Sequence, residues 1–307
     1  MTRCLLIAGP TAAGKTALAL EAAERLDGEI INADSMQIYA GLHLITARPD
    51  ENEVSRAPHH LFGCVDPSTR WSVGEWSAAA LDLIKDIKSR GRTPILVGGT
   101  GLYFHALTVG LAPVPEIDEA SRQRVEALTE QSGMEALRAE AERLDPVSAA
   151  KIKPADRQRL QRVVEVGYAT GEALSSFHGE TRPLLAEPDW TGIVIEPDRS
   201  ALYARIERRF DLMLEAGALD EVADFGRRNL DPMLPAMKAL GVPPLLAHLR
   251  KEMLLEDAVL LSKRDSRRYA KRQLTWFRNQ CANWSRITSM DPGEAREQLS
   301  QILDRKS

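Results

Sequence analysis

Apolar and polar positions along the chain fall into alternating short apolar runs and helix-spaced stripes. Cys4-Leu5-Leu6-Ile7-Ala8 is a continuous apolar run, and Ala17 to Leu26 is Ala/Leu-rich at helical spacing. Glu29-Ile30-Ile31-Asn32-Ala33-Asp34 reads as a second short strand that ends in an acid. Ser72-Val73-Gly74-Glu75 forms a capping box, in which hydroxyl and carboxylate each satisfy an orphan N–H. Behind it Trp76, Ala80, Leu83, Ile84 and Ile87 recur as a core stripe until Gly91 stops the helix. Thr93-Pro94-Ile95-Leu96-Val97 is a third buried strand, and Thr191-Gly192-Ile193-Val194-Ile195 is the next candidate. A helix follows from Ser200 to Glu215, stopped by Gly217, and a last one runs from Ala258 to about Ala282.

Between these strands the rhythm breaks at Ala112-Pro113-Val114-Pro115. Helical patterns follow at roughly 119–131, 134–144, 147–152 and 156–170, with no convincing strand. A crossover of some ninety residues is too long for a simple β-α-β connection. The expectation is an α/β fold with a P-loop NTPase-like parallel sheet, helices on both faces, and an inserted all-helical domain at 113–190. The core then comprises 1–112 and 191–307.

Composition narrows the class. The chain has 307 residues, 44 % hydrophobic and 27 % charged, with no low-complexity tract or internal repeat. No apolar run approaches the ~20 residues of a membrane span. A strand beginning at Cys4 argues against a signal peptide. Cys4, Cys64 and Cys281 are too scattered for a metal knuckle or a disulfide framework. A soluble, cytoplasmic protein is expected, working as a monomer. The net charge of −4 supplies no global field for nucleic acid, though a local basic face remains compatible with it.

The chemistry starts at Gly9-Pro10-Thr11-Ala12-Ala13-Gly14-Lys15-Thr16, set between the first strand and the first helix. In that context G-x-x-x-x-G-K-[ST] is a phosphate cradle of converging N–H groups, helix dipole and lysine charge. Thr16 offers a hydroxyl where a Mg²⁺ bridging two phosphate groups needs a ligand. Asp34, at a strand's carboxyl end beside the cradle, reads as Mg²⁺ ligand, general base or turn cap. The strand Thr93–Val97 runs into Gly98-Gly99-Thr100-Gly101, where most NTP-hydrolysing relatives carry an acid. Either Asp34 takes the metal role or no nucleoside triphosphate is cleaved. The glycines there are expected to let backbone approach a ligand, with Thr100 as a small hydrogen-bonding group.

His59-His60 is an adjacent pair without a third ligand at metal spacing, so two satisfied loop histidines are expected. The inserted segment carries Lys151, Lys153, Arg157, Arg159 and Arg162 with Asp156 the only acid among them, by default a solvated face. On the helix 200–215, Arg208 lies about opposite Ile206, whereas Arg209 falls about 60° from it. Arg209 can therefore turn inward as an anion clamp or snorkel outward. In the last helix Arg264, Arg267/Arg268, Lys271, Thr275 and Arg278 give a basic face near Trp276 and Phe277, favouring contact with a phosphate backbone.

These residues resemble the bacterial tRNA dimethylallyltransferases, also called isopentenyltransferases, over essentially the whole length. The marks are the phosphate loop, Asn32-Ala33-Asp34-Ser35-Met36-Gln37-Ile38-Tyr39, Thr46-Ala47-Arg48-Pro49 and Pro58-His59-His60-Leu61. Val97-Gly98-Gly99-Thr100-Gly101-Leu102-Tyr103 and Ala270-Lys271-Arg272-Gln273-Leu274-Thr275-Trp276-Phe277-Arg278 complete them. The resemblance implies transfer of a dimethylallyl group from its diphosphate to N6 of the adenine 3′ of the tRNA anticodon. Pyrophosphate then leaves, and the missing strand-end acid is explained. By the same likeness Asp34 is the general base and Thr100 lies by the flipped base. Thr11 to Thr16 hold the diphosphate with Lys15 among them, Arg209 is the pyrophosphate arginine, and Mg²⁺ is the cofactor. Ser35-Met36-Gln37, Arg122 and Gln158-Arg159-Leu160-Gln161-Arg162 contact the anticodon stem-loop. Three departures stand out: Ile45 replaces a usual glycine, Arg48 a common lysine, and Ala239-Leu240-Gly241-Val242-Pro243 the usual Ile-Gly-Tyr-Lys-Glu. The last puts a tRNA contact from that loop in doubt. The rival readings are a phosphate-loop kinase of nucleotides or small molecules, and a non-catalytic nucleotide-regulated RNA-binding protein.

Overall fold

The computed structural model describes residues 3–179 and 181–306, and they form two compact units, 1–108 with 184–307 and 109–183. In the first unit β1 (Cys4–Ala8) leads through the glycine loop to α1 (Lys15–Leu26) and β2 (Gly28–Asn32). α2 (Glu51–Arg56), β3 (His59–His60), α3 (Val73–Ser89), β4 (Thr93–Gly98) and α4 (Gly101–Thr108) follow. The second unit holds α5 (Glu119–Leu144), α6 (Pro146–Ala149) and α7 (Arg157–Thr170). The chain re-enters the first unit for β5 (Trp190–Ile195), α8 (Arg199–Glu215), α9 (Ala218–Gly226) and α10 (Val242–Leu249). It ends with α11 (Leu255–Gln280), β6 (Ser285–Ile287) and α12 (Pro292–Lys306).

The six strands form one sheet in the order β3-β2-β4-β1-β5-β6, every pair parallel. Parallel strands need both faces covered, which is why β1, β4 and β5 read as largely apolar runs. The strand period of two divides each run between two cores. Leu5, Ile7, Ile95, Val97 and Ile193 pack with Ala19, Leu20, Leu202 and Ile206 on one side. Cys4, Leu6, Leu96 and Val194 pack with Trp76, Ile84, Phe104 and Phe277 on the other. Full burial of each such Leu or Ile stabilises the fold by about 1.5–3 kcal/mol. α3 is entered through the expected capping box, Ser72 Oγ accepting from the Glu75 N–H at 3.1 Å. The sequence leaves β1 towards β2 and β4 towards β5, in opposite directions across the sheet. The crevice beyond the carboxyl ends of β1 and β4 is therefore the ligand position of an open α/β sheet.

The second unit has helices and no strand among its described residues, and it has its own core, Val125, Leu137, Ala141, Leu160, Val163 and Val164. Gly133, at φ 77°, interrupts α5 between the two helices the pattern predicts. Its limits differ from the expected 113–190. Residues 184–189 belong to the sheet unit because the Leu185 N–H donates to Leu107 O at 2.8 Å and the side chain is buried in that core. The histidine pair is also not loop. His59 and His60 form the short edge strand β3 beside β2, with His60 Nε2 2.7 Å from the buried Glu29 carboxylate.

Candidate active site

The site begins with the loop 9–14. Gly9 is needed because a Cβ there would stand 3.1 Å from Ile195 O, and Gly14 takes φ 90° as the residue preceding α1. Ala12 is also left-handed, at φ 62°, a conformation that L-residues seldom adopt. The Ala13 N–H closes a turn on Pro10 O at 3.3 Å. No side chain caps α1, so its first-turn N–H groups stay open to an anion. Lys15 Nζ donates to Pro10 O at 2.8 Å, holding its charge over the loop.

Above this loop lies a cavity of about 300 Å³ lined by 11–17, Asp34, Gln37, 46–49, His59, Phe62, Arg205 and Arg209, among others. Arg209 has turned inward and donates to the Thr11 hydroxyl, whereas Arg208 is exposed, as the helical angles predict. Arg205, one turn earlier, escaped the sequence reading; its guanidinium lies 3.5 Å from where a Cβ on Gly14 would be. The signal was the i, i+4 spacing of the two arginines. Burial, reinforced by the Arg205 charge, pushes Arg209 down to about 10. Burial also pushes Lys15 down to about 8, with Arg209 acting in the same direction and Asp34 against it. Cations are crowded here without enough negative charge, and an anion would relieve them.

Asp34 stands opposite, fixed from several sides. Its N–H donates to Asn32 Oδ1 at 2.8 Å, and its Oδ1 accepts from the Met36 N–H at 2.9 Å. Asn32 in turn donates to Leu61 O at 2.9 Å, and Trp76 Nε1 donates to Asn32 O at 2.8 Å. The Thr100 hydroxyl accepts from the Ser35 N–H at 2.9 Å and donates to Ser35 Oγ at 3.2 Å. Tyr269 of α11 joins them: burial and then the Asp34 charge raise its hydroxyl pKa, while a hydrogen bond with Thr100 opposes the shift.

Several expected contacts need correcting. Gly98 lines the cavity, but both it and Gly99 also admit the protein's own packing. A Cβ on Gly98 would stand 1.9 Å from Ala33 O, and one on Gly99 2.2 Å from Gln273 Nε2. The Thr11 N–H does not face the cradle but donates to Gln273 Oε1 at 2.9 Å. Gln37 spends its amide donors on Thr46 O and Ala47 O at 2.9 and 2.8 Å, shaping the cavity wall. Leu160 is fully buried in the core of the helical unit, on the α7 side that meets α5, and its side chain offers nothing to an RNA. Gln158 and Arg159 are exposed, and Gln161 and Arg162 half-exposed. Burial lowers the Arg162 pKa and the Arg122 charge adds to the shift, so the unit brings these two cations near each other.

The basic face of α11 is smaller than its sequence implied. Lys263, Arg267 and Arg278 pair with Asp211, Glu207 and Glu196 of the same unit. Among the described residues Lys271 and Arg272 make no ion pair, and Arg272 lies over the Tyr269 ring. Two of the departures meet: Ile45 and Phe210 lie 2.9 and 3.1 Å from where a Cβ on Gly241 would stand. Ala239 and Val242 are buried beside them, so this loop is core packing. Arg48 lines the cavity, its Nε buried without a partner.

Comparison with known proteins agrees with this geometry. Residues 37–280 match the IPP transferase family and residues 2–60 the isopentenyl transferase family. A tRNA dimethylallyltransferase from Maricaulis maris is 66 % identical over 304 residues, covering 99 % of both chains. The crystal structure of a full-length tRNA isopentenylpyrophosphate transferase from Bacillus halodurans is similar at TM-score 0.70 and 36 % identity, over 100 % of this chain and 98 % of that one. A eukaryotic dimethylallyltransferase captured acting on tRNA gives TM-score 0.82 at 27 % identity, over 99 % of this chain and 78 % of that one. The chain belongs to the IPP transferase family, that of the tRNA dimethylallyltransferases.

Proposed function

We propose that this chain transfers the dimethylallyl group of dimethylallyl diphosphate to the N6 amine of the adenine 3′ to the tRNA anticodon, releasing pyrophosphate. One observation carries the reading. Lys15, Arg205 and Arg209 converge on a phosphate loop, and the acid facing them, Asp34, sits beside Thr100 rather than at the end of β4. That array favours charge growing on a leaving diphosphate and places a proton acceptor across from it.

The adenine amine is a weak nucleophile because its lone pair is delocalised into the ring. The allylic carbon compensates, since its C–O bond can break with carbocation character. As the N6–C1 bond forms and the C1–O bond breaks, Asp34 takes the amine proton. Lys15, Arg209 and the open N–H groups of α1 receive the pyrophosphate. The base must leave its stack, which costs a few kcal/mol and is offset by edge hydrogen bonds that its amine donates to Asp34 and Thr100.

Mg²⁺ fits the donor set. The Thr16 hydroxyl has no partner among the described residues and shares the cavity with Asp34. Mg²⁺ needs only one or two protein oxygens beside phosphates and water. When bound it would neutralise charge on the diphosphate. No described helix is long and apolar enough to cross a membrane. The cysteines are unpaired, which fits the reducing cytoplasm where tRNA is processed.

The test is to incubate the protein with undermodified tRNA, Mg²⁺ and either dimethylallyl diphosphate or ATP, then digest the RNA for nucleoside mass spectrometry. Prenylated adenosine with the former alone is the expected result. Phosphoryl transfer from ATP would favour the kinase, and tRNA binding without product the non-catalytic reading.

The helical unit gives a separate prediction. Arg159 and Arg162 pair only loosely, with Asp156 at 3.5 Å and Glu165 at 3.9 Å, so a phosphate can displace either acid. Replacing both with Ala should make log affinity for tRNA less steep in log salt by roughly 1.4, the value for two lost single-strand phosphate contacts. An unaltered slope means these arginines are merely solvated.

A further inference from the structure

Gln273 lies on α11, within the stretch Ala270–Arg278, and is 5 % exposed and hydrogen-bonded to two loops of the site. Its neighbours explain the position. Ala270 and Leu274 pack into one core of the sheet and Phe277 into the other, so α11 spans both beyond the strand ends. A buried amide there is unfavourable unless its groups are paired. Gln273 Oε1 accepts the Thr11 N–H at 2.9 Å, and Nε2 donates to Gly99 O at 2.8 Å. The amide orientation is fixed by chemistry, because an N–H faces one end and a carbonyl the other.

Each end of this bridge holds a different half of the reaction. Thr11 also receives Arg209, so it joins the loop to the pyrophosphate arginine. Gly99 adjoins Thr100, and its missing Cβ would stand 3.4 Å from Asp34 Oδ2. No other side chain hydrogen-bonds to both loops among the described residues.

We propose that Gln273 is a positioning residue: its amide sets the distance between the leaving diphosphate on the phosphate loop and the acceptor amine held by Asp34 and Thr100. The inference rests on the diphosphate reading above and adds what registers the two halves. Transfer needs the reacting atoms at near-attack separation, where a shift of about 1 Å can cost up to 10²-fold.

The experiment measures single-turnover transfer at saturating dimethylallyl diphosphate and tRNA, with tRNA affinity and melting temperature in parallel. Gln273→Met keeps length and helix propensity but removes both hydrogen bonds. Its rate should fall about tenfold or more at every pH, with tRNA Kd within about twofold of wild type. Gln273→Glu is nearly isosteric and, when protonated, accepts from Thr11 and donates to Gly99. Its rate, taken as a ratio to wild type at each pH, should recover as pH falls from about 9 to about 6 and the carboxyl gains its proton. A purely structural role would move melting temperature without this pH-dependent rescue. Wild-type rate in Gln273→Met, or a Gln273→Glu ratio flat across pH, overturns the proposal. Should Gln273→Met not fold, the Gln273→Glu profile decides alone. A wild-type protein that makes no prenylated tRNA defeats the functional reading instead, so the two failures are distinct.

Discussion

Asp34→Asn is expected to slow single-turnover dimethylallyl transfer by at least about 10²-fold while leaving tRNA affinity within about threefold of wild type. The size follows from the loss of a general base, typically worth 10²–10⁴ in rate. Its selectivity follows from the surroundings of Asp34. Oδ1 accepts the Met36 N–H at 2.9 Å, and an asparagine oxygen can keep that bond. The main chain of Asp34 is fixed independently by Asn32, so the turn should persist. Oδ2 faces Gly99 and the open side of the site, and this is the position that loses its proton affinity. Asp34 also opposes the downward shift of Lys15, so its neutralisation leaves the cradle short of one negative neighbour. Pyrophosphate should bind the variant at least as well as wild type at neutral pH. Rapid-quench measurement of prenylated tRNA, with pyrophosphate titration alongside, checks both statements. An unchanged transfer rate would remove Asp34 from the base role.

The parts of the site that sequence made legible are those whose chemistry lies within one turn or loop. Strand, glycine loop and helix identify the cradle, and the 100° helical step separates Arg209 from Arg208. β1, β4 and β5 show as largely apolar runs because both faces of the sheet are covered. What escaped were features defined by distant partners or by very short elements. β3 has two residues and β6 three, too few for any period to register. Thr11 and Gln273 are 262 residues apart, so nothing local tells that the first N–H of the cradle is turned away from the ligand. Gly98 does line the cavity, but a glycine pattern reports only that something comes close. Here that something is Ala33 and Gln273. Leu160 was carried along with its polar neighbours in a linear motif, whereas the helix places it on the opposite, buried side. The basic face of α11 looked continuous because its acidic partners lie on α8 and just beyond β5.

Lys15→Met is expected to lower kcat/KM for dimethylallyl diphosphate by roughly 10²–10³, the range for loss of one preorganised group that stabilises growing negative charge. The same variant should also change the shape of the pH profile. Burial, aided by Arg209, holds the free-site Lys15 at about 8, well below a solvent lysine. The diphosphate favours the charged ammonium. As pH rises through about 8 the free protein loses that proton, and binding must then take one up. Apparent Kd for pyrophosphate should therefore climb above pH 8, approaching tenfold per pH unit, and stay nearly level just below it. Arg209 sits at about 10, so its titration enters later and does not supply the limb near 8. In Lys15→Met the rise should vanish between about pH 8 and 9, leaving weak binding that is level in pH. Calorimetric titration of pyrophosphate in buffers of different ionisation enthalpy adds a second readout. Wild type should take up close to one proton on binding at pH 9, and Lys15→Met far less. If the variant keeps the limb or the proton uptake, the titrating cation is another member of the cluster. Lys15 would then contribute fixed charge alone.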